Sequence, residues 1–430
     1  MNFNRAKVNL KDGRGADAAA MLCVACFFTL VFGWILFGDR YVVGGDAYAY
    51  SYPLRNAAWE MMRGGELPLW TPLVLSGYPL LSMAQLALGY PLTWGYLFLD
   101  APRAEQFYIL APFLLAPAFT YAYLRELGRT RLAALLAGLS FGYGGAMTGL
   151  LGVIGFPNNA LMWLPLMLIA VERARRTDAR FASCLPLAAC AYAMSVLNGY
   201  AQGFLYVGLV ALVYAVFVSL VGAKRGAGAC TGAGESVGMD AESLSVRRRQ
   251  WRQWRRWRPL AVAVGGIAAG AGVGAFQILE TMRAARRSIR STLIYPLFVS
   301  GSFSPRVALE SLVAPLYTGR FADVGTYVAP LVLLLALVGV IYARGGATRS
   351  EAQRDVRVFF WAATALISCV FILGQHTPVY GWLYHVPVIN SFRVPSRFSY
   401  VWTFAASILA AYGWDALALL FERGILNFGP

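Results

Sequence analysis

One acidic residue in this sequence stands where it could serve as a general base. Asp46 follows Gly44 and Gly45, which leave the backbone free to place a carboxylate. Such a group could take a proton from an acceptor hydroxyl, a step that accelerates a reaction by roughly 10²–10⁴-fold. The alternative is that Asp46 caps a short helix, as aspartate often does.

Three tyrosines follow Asp46 at alternating positions. They are Tyr48, Tyr50 and Tyr52. Their spacing fits rings that stack on a sugar substrate, but it favours an aromatic belt at a membrane interface. Both interpretations place this stretch near a membrane surface.

A cluster of arginines forms a second candidate, this time for binding phosphate. Spacings of three and four place these side chains on one helical face. Guanidinium groups suit phosphate because they donate hydrogen bonds in a fork. The alternatives are contact with lipid headgroups or pairing with Glu280. The residues are Arg283, Arg286, Arg287 and Arg290.

A third polar stretch holds both histidines of the protein, His376 and His385. Two histidines nine residues apart favour a structural role over a metal site. Arg393 and Arg397 follow at the start of an apolar segment, where they could neutralise a leaving phosphate or anchor a helix at the interface. The chain lacks the P-loop, GxSxG, HExxH and dinucleotide signatures.

The elements that must position these residues are membrane spans. Apolar and aromatic residues make up 58% of the chain and charged residues only 13%, against about 25% in a soluble domain. Apolar segments near the ~20 residues of a transmembrane helix predict an all-α polytopic membrane domain over residues 1–430. The ten predicted spans are 17–38, 106–124, 132–150, 157–171, 182–197, 203–222, 259–280, 327–343, 358–374 and 399–421.

The basic residues predict the orientation of these spans. Of the 37 lysines and arginines, 25 fall in the N-terminal tail, in alternate loops and after the last span. Because basic residues gather on the cytoplasmic side, both termini are expected inside. The net charge of +16 then reflects topology, and no nucleic-acid partner is predicted.

The predicted loops differ in character. The outer loops are 39–105, 281–326 and 375–398. In the first of them, Leu54 to Met62 carries the apolar stripe of an amphipathic helix that ends at Gly64 and would lie at the membrane interface, the alternative being ordinary packing within the loop. The inner loop 223–258 combines a flexible composition at 226–245 with tryptophans among arginines at 247–259, a pattern suited to an anionic leaflet.

Glycines recur every four residues in the seventh predicted span, at Gly266, Gly270 and Gly274. Small residues at this spacing allow two helices to approach closely. The pattern therefore predicts tight packing rather than chemistry.

Several motifs together resemble the YfhO-like family of bacterial membrane proteins. The matches occur in order through most of the chain. They are Gly45-Asp46 to Pro53, Gly65 to Pro72 with Trp70, Gly77 to Pro79, Gln85, Tyr90-Pro91, Asn158-Asn159 to Pro165, and Thr377 to Tyr380 followed by Phe392 to Phe398.

This resemblance implies a GT-C type glycosyltransferase that uses a polyprenyl-phosphate sugar on the outer face of the bacterial inner membrane. Asp46 would be the catalytic base, and an envelope glycan or lipid the acceptor. The arginines named above would bind the donor phosphate. The tyrosines, Trp70, Gln85, His376 and His385 would contact substrate.

Two features depart from the family pattern. Many members continue further after the Arg393-to-Arg397 stretch, and Asp39 and Asp46 are seven residues apart, so no Asp-x-Asp metal site or other cofactor is predicted. The alternative functions are a transporter or flippase of lipid-linked precursors and a non-catalytic membrane assembly protein.

Overall fold

The part of the chain that the structure describes is mostly helical. The computed structural model describes residues 10–74, 76–176, 181–227, 239–288, 293–313, 325–344 and 355–423. Within these ranges the only β-bridge joins Thr71 and Tyr78, so the predicted all-α fold is confirmed. The helices are α1 Leu10–Leu36, α2 Tyr52–Arg63, α3 Ala101–Glu126, α4 Arg131–Gly142, α5 Gly145–Thr148, α6 Phe156–Leu161, α7 Leu164–Arg175, α8 Phe181–Leu197, α9 Ala201–Ala227, α10 Met239–Val273, α11 Ala275–Arg286, α12 Tyr295–Phe298, α13 Pro305–Val313, α14 Pro330–Arg344, α15 Arg357–Ile372, α16 Pro378–Leu383 and α17 Ser399–Glu422.

Helices long and apolar enough to cross a bilayer number four among the described residues. They correspond to α1, α3, α9 and α17. A fifth span results if α10 and α11, which meet at an angle of 74°, are taken as one. Helices α8, α14 and α15 are apolar but have only 17, 15 and 16 residues. All ten predicted spans coincide with helices, and ten crossings remain a prediction.

Three predicted spans are broken. Span 132–150 divides into α4 and α5, where Gly145 N–H donates to the Tyr327 carbonyl at 2.7 Å. Span 157–171 divides into α6 and α7 because Pro165 has no N–H and would clash with the carbonyl four residues earlier. Span 259–280 bends at Gly274.

Helix α10 also corrects the predicted inner loop. It begins at Met239, so residues 239–258 are helical where the sequence predicted a loop. The good helix formers of this segment, such as leucine, glutamate and arginine, favour that outcome. Residues 228–238 of the predicted flexible linker lie outside the described ranges.

The glycines of α10 pack against α8, as their spacing predicts. A Cβ on Gly266 would lie 2.5 Å from the Cβ of Ala188, and one on Gly274 would lie 2.3 Å from Val196 Cγ1. A Cβ on Gly270 would meet backbone atoms instead, since it would lie 2.7 Å from the nitrogen of Ala193. The close approach of α8 and α10 therefore depends on these three positions.

We expect Gly270→Ala to destabilise the protein by about 1–3 kcal/mol, because backbone atoms cannot move aside for the added methyl group. Gly272→Ala is the matched control, since a Cβ there meets nothing within 4 Å. It should leave stability unchanged or raise it by up to about 1 kcal/mol. The thermal midpoint of the purified protein in detergent measures both, and equal midpoints would contradict the packing described.

The first predicted outer loop, which joins α1 to α3, lies at one end of the helical bundle. This end is here called the first-loop end. Gln106 of α3 donates to the carbonyl of Ile35 in α1 at 3.3 Å. Gly44 N–H donates to the Gly152 carbonyl at 2.7 Å, which brings the segment between α5 and α6 to the same end. Phe303 N–H donates to the Ile372 carbonyl, so the segments after α12 and α15 meet as well.

The opposite end of the bundle is held by ion pairs. Asp17 contacts Arg125 and Arg131 at 3.2 and 3.0 Å. Glu172 pairs with Arg357 at 2.8 Å, which joins α7 to α15. Further pairs link Glu126 to Arg173 and Arg176, and Arg129 to Asp355 and Asp415. Basic residues that the sequence assigns to one side of the membrane thus meet at one end.

Helix α2 forms and ends at Gly64 as predicted. Its buried residues Leu54 and Ala58 pack on Leu80, Met83 and Leu86 of the same loop. The apolar face that the sequence assigned to the membrane interface is thus covered by protein.

Candidate functional site

The backbone around Asp46 is docked on the segment between α5 and α6. Besides the hydrogen bond of Gly44, Ala47 N–H donates to the carbonyl of Val153 at 2.7 Å. Gly45 adopts a φ of +51°, a conformation that favours glycine, and a Cβ there would lie 2.9 Å from Val153 Cγ1. The two glycines therefore allow the close approach that positions Asp46.

The Asp46 side chain itself is exposed. Asp46 occupies the N-cap position of the π-helical turn Ala47–Ser51, yet its carboxylate accepts no capping hydrogen bond. The capping role that the sequence left open is therefore not the one observed. A fixed backbone carries a carboxylate that faces outward and is accessible to a ligand.

The segment that supports Asp46 continues into the bundle through Asn158. Asn158 Nδ2 donates to the carbonyl of Met147 at 2.9 Å, and Asn158 Oδ1 accepts from the Tyr400 hydroxyl at 2.5 Å. Tyr400 lies three residues after Arg397, at the start of α17. Asp46 and Arg397 thus belong to the same end of the bundle.

Arg397 belongs to a mostly buried polar group that we call the Arg397 cluster: Tyr200, Gln202, Tyr206 and Arg397. Arg397 Nη1 donates to Gln202 Oε1 at 3.0 Å, and its guanidinium lies 5.4 Å from the ring centroid of Tyr200. Gln202 Nε2 donates to the Tyr206 hydroxyl at 2.7 Å. Because Gln202 is only 4% exposed, it holds the cation from a fixed position.

Residues from separate parts of the chain meet in a second buried group. Tyr90 donates from its hydroxyl to Asn159 Oδ1 at 3.2 Å and accepts from Trp163 Nε1 at 3.0 Å. Asn159 Nδ2 in turn donates to the carbonyl of Tyr108 at 2.9 Å. These contacts tie the first loop to α3 and α6, next to Asn158 in the sequence.

A buried ion pair fixes the first loop on the bundle. Arg55 is fully buried and bonds to Glu105 at the start of α3. It also donates to the carbonyl of Gln85 at 2.8 Å and lies 4.2 Å from the ring of Tyr108. The Tyr96 hydroxyl donates to Glu105 at 2.7 Å. Sequence reasoning missed this pair, although an arginine next to the apolar stripe of α2 is a signal for it.

The tyrosines after Asp46 differ in exposure. Tyr48 and Tyr50 are 67% and 44% exposed. Tyr52 is half-buried, and burial, followed by the charges of Glu105 and Asp100, raises the pKa of its phenol above the usual value of 10.0. Tyr52 therefore stays neutral over a wider pH range than a free phenol.

The remaining predicted site residues lie mainly on the surface. Trp70 is 55% exposed and its indole lies against Gly77, while Gln85 is half-buried. Arg283 pairs with Glu280 at 2.6 Å, one of the alternatives that the sequence left open. Arg290 lies outside the described residues. The exposed residues are Arg283, Arg286, Arg287, His376, His385 and Arg393.

No metal site is evident in the part of the chain that the structure describes. These ranges contain no group of three or more histidine, cysteine, aspartate or glutamate side chains placed to hold an ion.

The fold and the polar clusters define an all-helical membrane protein. No protein family and no curated protein matches the sequence. Among solved structures it is similar to the oligosaccharyltransferase of Archaeoglobus fulgidus in the apo form, with 15% identity, a TM-score of 0.43 and coverage of 95% of this chain and 51% of that one. It is also similar to the oligosaccharyltransferase AglB of that organism in complex with an inhibitory peptide and a dolichol-phosphate, with 14% identity, a TM-score of 0.42 and coverage of 96% and 51%. The chain spans about half the length of these structures.

Proposed function

We propose that this chain is a GT-C type inverting glycosyltransferase, as its YfhO-like motifs imply. It transfers a sugar from a polyprenyl-phosphate donor to an envelope glycan or lipid on the extracytoplasmic face of the bacterial inner membrane. Both termini are then cytoplasmic, and the first-loop end faces outward. One observation carries the proposal: the outward-facing carboxylate of Asp46 shares one end of the bundle with the buried Arg397 cluster, through Val153, Asn158 and Tyr400.

In this mechanism Asp46 accepts the proton of the acceptor hydroxyl, and the acceptor oxygen forms a bond to the anomeric carbon. The bond between that carbon and the phosphate oxygen breaks, and the polyprenyl phosphate leaves with the electron pair. Attack opposite the leaving group inverts the anomeric centre. Groups that stabilise the developing charge are worth most where water is scarce.

Arg397 is the arginine best suited to receive that charge. It is half-buried and is held by Gln202 and Tyr200, so little rearrangement is needed when the phosphate develops its charge. Arg393 precedes it on the exposed part of the same loop, where it is proposed as a second phosphate contact. The arginines of α11 are more exposed than Arg397, so they are less suited to stabilise the charge of the leaving phosphate.

The substrate-contacting roles fall to the exposed side chains of the first-loop end. Tyr48, Tyr50 and Trp70 offer aromatic faces for a sugar or a lipid-linked acceptor. Tyr52, Gln85, His376 and His385 are proposed as polar contacts to the same substrates. No cofactor takes part in the proposed step.

The transporter alternative has less support from the described residues. Asp415, the main ionisable residue that the sequence places inside a span, accepts a hydrogen bond from the Thr130 hydroxyl at 2.5 Å and pairs with Arg129 at 3.6 Å. It lies at the opposite end of the bundle, where it ties α17 to the start of α4. A role in holding helices together accounts for it without a transport pathway.

Transfer of radiolabelled sugar from a polyprenyl-phosphate sugar pool in membranes tests the proposal. We expect Arg397→Ala to lower the transfer rate by about 10²–10³-fold, the usual cost of removing one group that stabilises a leaving charge. Gln202→Leu, which keeps the arginine but removes the acceptor that holds it, should lower the rate by about tenfold or more.

Arg306→Ala serves as the control at matched expression, since Arg306 is 88% exposed and pairs only locally with Glu310. It should transfer sugar at the wild-type rate. A wild-type rate in Arg397→Ala would remove that residue from the mechanism.

A further inference from the structure

The junction between α10 and α11 is sharp and has a local cause. Gly274 adopts φ −88° and ψ 9°, which is not helical, and it lies directly against Val196 of α8. The chain therefore turns by 74° within one residue. Helix α11 then continues for 12 residues.

The depth of this turn follows from the length of α10. Trp257 is 40% exposed among arginines at the other end of the helix, as is typical of an interface. From Trp257 to Gly274 the helix rises by about 26 Å at 1.5 Å per residue, close to the ~30 Å of a hydrocarbon core. No charged residue lies between Arg258 and Glu280. Gly274 thus lies near the second interface, where a turn of 74° sends α11 along the membrane surface.

One face of α11 is bound to the first loop. Gln277, which is 3% exposed, donates from Nε2 to the carbonyl of Leu81 at 3.0 Å. Thr281, one turn later, donates from its hydroxyl to the carbonyl of Ser82 at 3.4 Å. These contacts fix the rotation of α11 about its axis.

Large apolar side chains occupy the face that the first loop leaves uncovered. Leu279 and Met282 are 58% and 49% exposed, three residues apart, whereas the ring of Phe276, which is 45% exposed, reaches Gly89 of the first loop. At the depth derived above, such side chains are accommodated by lipid. A helix that lies in the interface with bulky apolar residues on one side is typical of membrane-surface binding.

The charge of α11 complements an anionic surface. Arg283, Arg286 and Arg287 are exposed at its C-terminal end, against one acid, Glu280. An arginine near an anionic leaflet contributes about 1 kcal/mol to binding, roughly a fivefold change in affinity. Arginines on the predicted outer side are unusual, because basic residues gather on the cytoplasmic side of a membrane. Contact with a lipid phosphate accounts for their presence.

We propose that the exposed face of α11 docks on the bilayer itself, with Leu279 and Met282 among the acyl chains and the three arginines on the phosphates of anionic phospholipids. This role does not depend on the proposed sugar transfer. It assigns the arginines to bulk lipid, whereas the donor's phosphate is assigned to Arg397.

The depth of α11 can be measured on the full chain in nanodiscs of phosphatidylcholine and phosphatidylglycerol. Single cysteines replace Leu279 or Met282 in a variant whose six native cysteines are changed to alanine, and each carries a spin label. Collision with oxygen reports lipid, and collision with a nickel chelate reports water. Leu30→Cys, at a residue of α1 that is 79% exposed, is the lipid control, and Glu66→Cys in the first loop is the water control.

We expect the labels at Leu279 and Met282 to resemble the label at Leu30. Labels that resemble the one at Glu66 would overturn the proposal, because the face would then lie in water. Labels that neither reagent reaches would also overturn it and would indicate a protein partner, such as a second copy of the chain.

The charge is tested by the preference of the protein for spin-labelled phosphatidylglycerol over phosphatidylcholine. Changing the three arginines to glutamine should lower this preference by about fivefold for each residue. Arg103→Gln and Arg306→Gln, at exposed arginines of the same end, are the matched control and should leave it unchanged. An unchanged preference in the triple variant, with or without a loss of sugar transfer, would overturn the assignment to bulk lipid.

Discussion

Asp46→Asn is expected to lower the rate of sugar transfer by about 10²–10⁴-fold, the range for loss of a general base. The substitution keeps the size of the side chain but removes the group that accepts the proton. Because the carboxylate is exposed and makes no capping hydrogen bond, the variant should fold and insert as the wild type does. The loss of rate then measures chemistry rather than stability.

Asp39→Asn is the matched control, since Asp39 is an exposed carboxylate seven residues earlier in the same loop. It should keep the wild-type rate. Equal rates in Asp46→Asn and the wild type would exclude Asp46 as the base. Absence of transfer by the wild type itself would favour the transporter or the non-catalytic assembly protein.

Glu105→Leu is expected to destabilise the protein by about 3–5 kcal/mol, because it leaves the buried charge of Arg55 without its partner. Arg55 is fully buried and Glu105 is 1% exposed, so water cannot replace the lost interaction. The Tyr96 hydroxyl would lose its acceptor as well. The midpoint of thermal unfolding in detergent, compared with the wild type, gives the size of the effect.

The double variant Arg55→Met with Glu105→Leu separates the ion pair from its surroundings. Replacing both charges by apolar groups removes the unpaired ion, so the double variant should be more stable than Glu105→Leu alone. Arg103→Ala breaks an exposed pair with Asp100 and should cost at most about 1 kcal/mol. A double variant less stable than the single one would mean that Arg55 is held mainly by the carbonyls of Gln85 and Leu86.

Much of the architecture could be predicted from the sequence. Hydropathy located the apolar helices, because the need to satisfy every backbone group in lipid makes a long apolar segment helical. Glycine spacing predicted close packing of α10 against another helix, because small residues allow backbones to approach closely, and the structure identifies that helix as α8. The Gly-Gly before Asp46 indicated a special backbone conformation, and Gly45 has one.

The interruptions of the helices were not evident from composition. Gly274 ends α10 because Val196 of α8 lies against it, and the division between α4 and α5 occurs where Tyr327 supplies a backbone carbonyl. Both causes come from residues distant in sequence. A local sequence pattern carries no information about residues that become neighbours only when the chain folds.

The candidate site likewise combines features that the sequence predicts with contacts that only the fold produces. The sequence by itself determined that Asp46 and Arg397 are polar residues next to apolar segments, and it predicted that alternate loops share a side of the membrane. Only the tertiary structure placed Gln202 on Arg397, Asn158 on Tyr400 and Glu105 on Arg55, pairs that lie 195, 242 and 50 residues apart. Hydropathy and local spacing depend on neighbours within a few turns of helix, whereas these contacts depend on how whole helices pack.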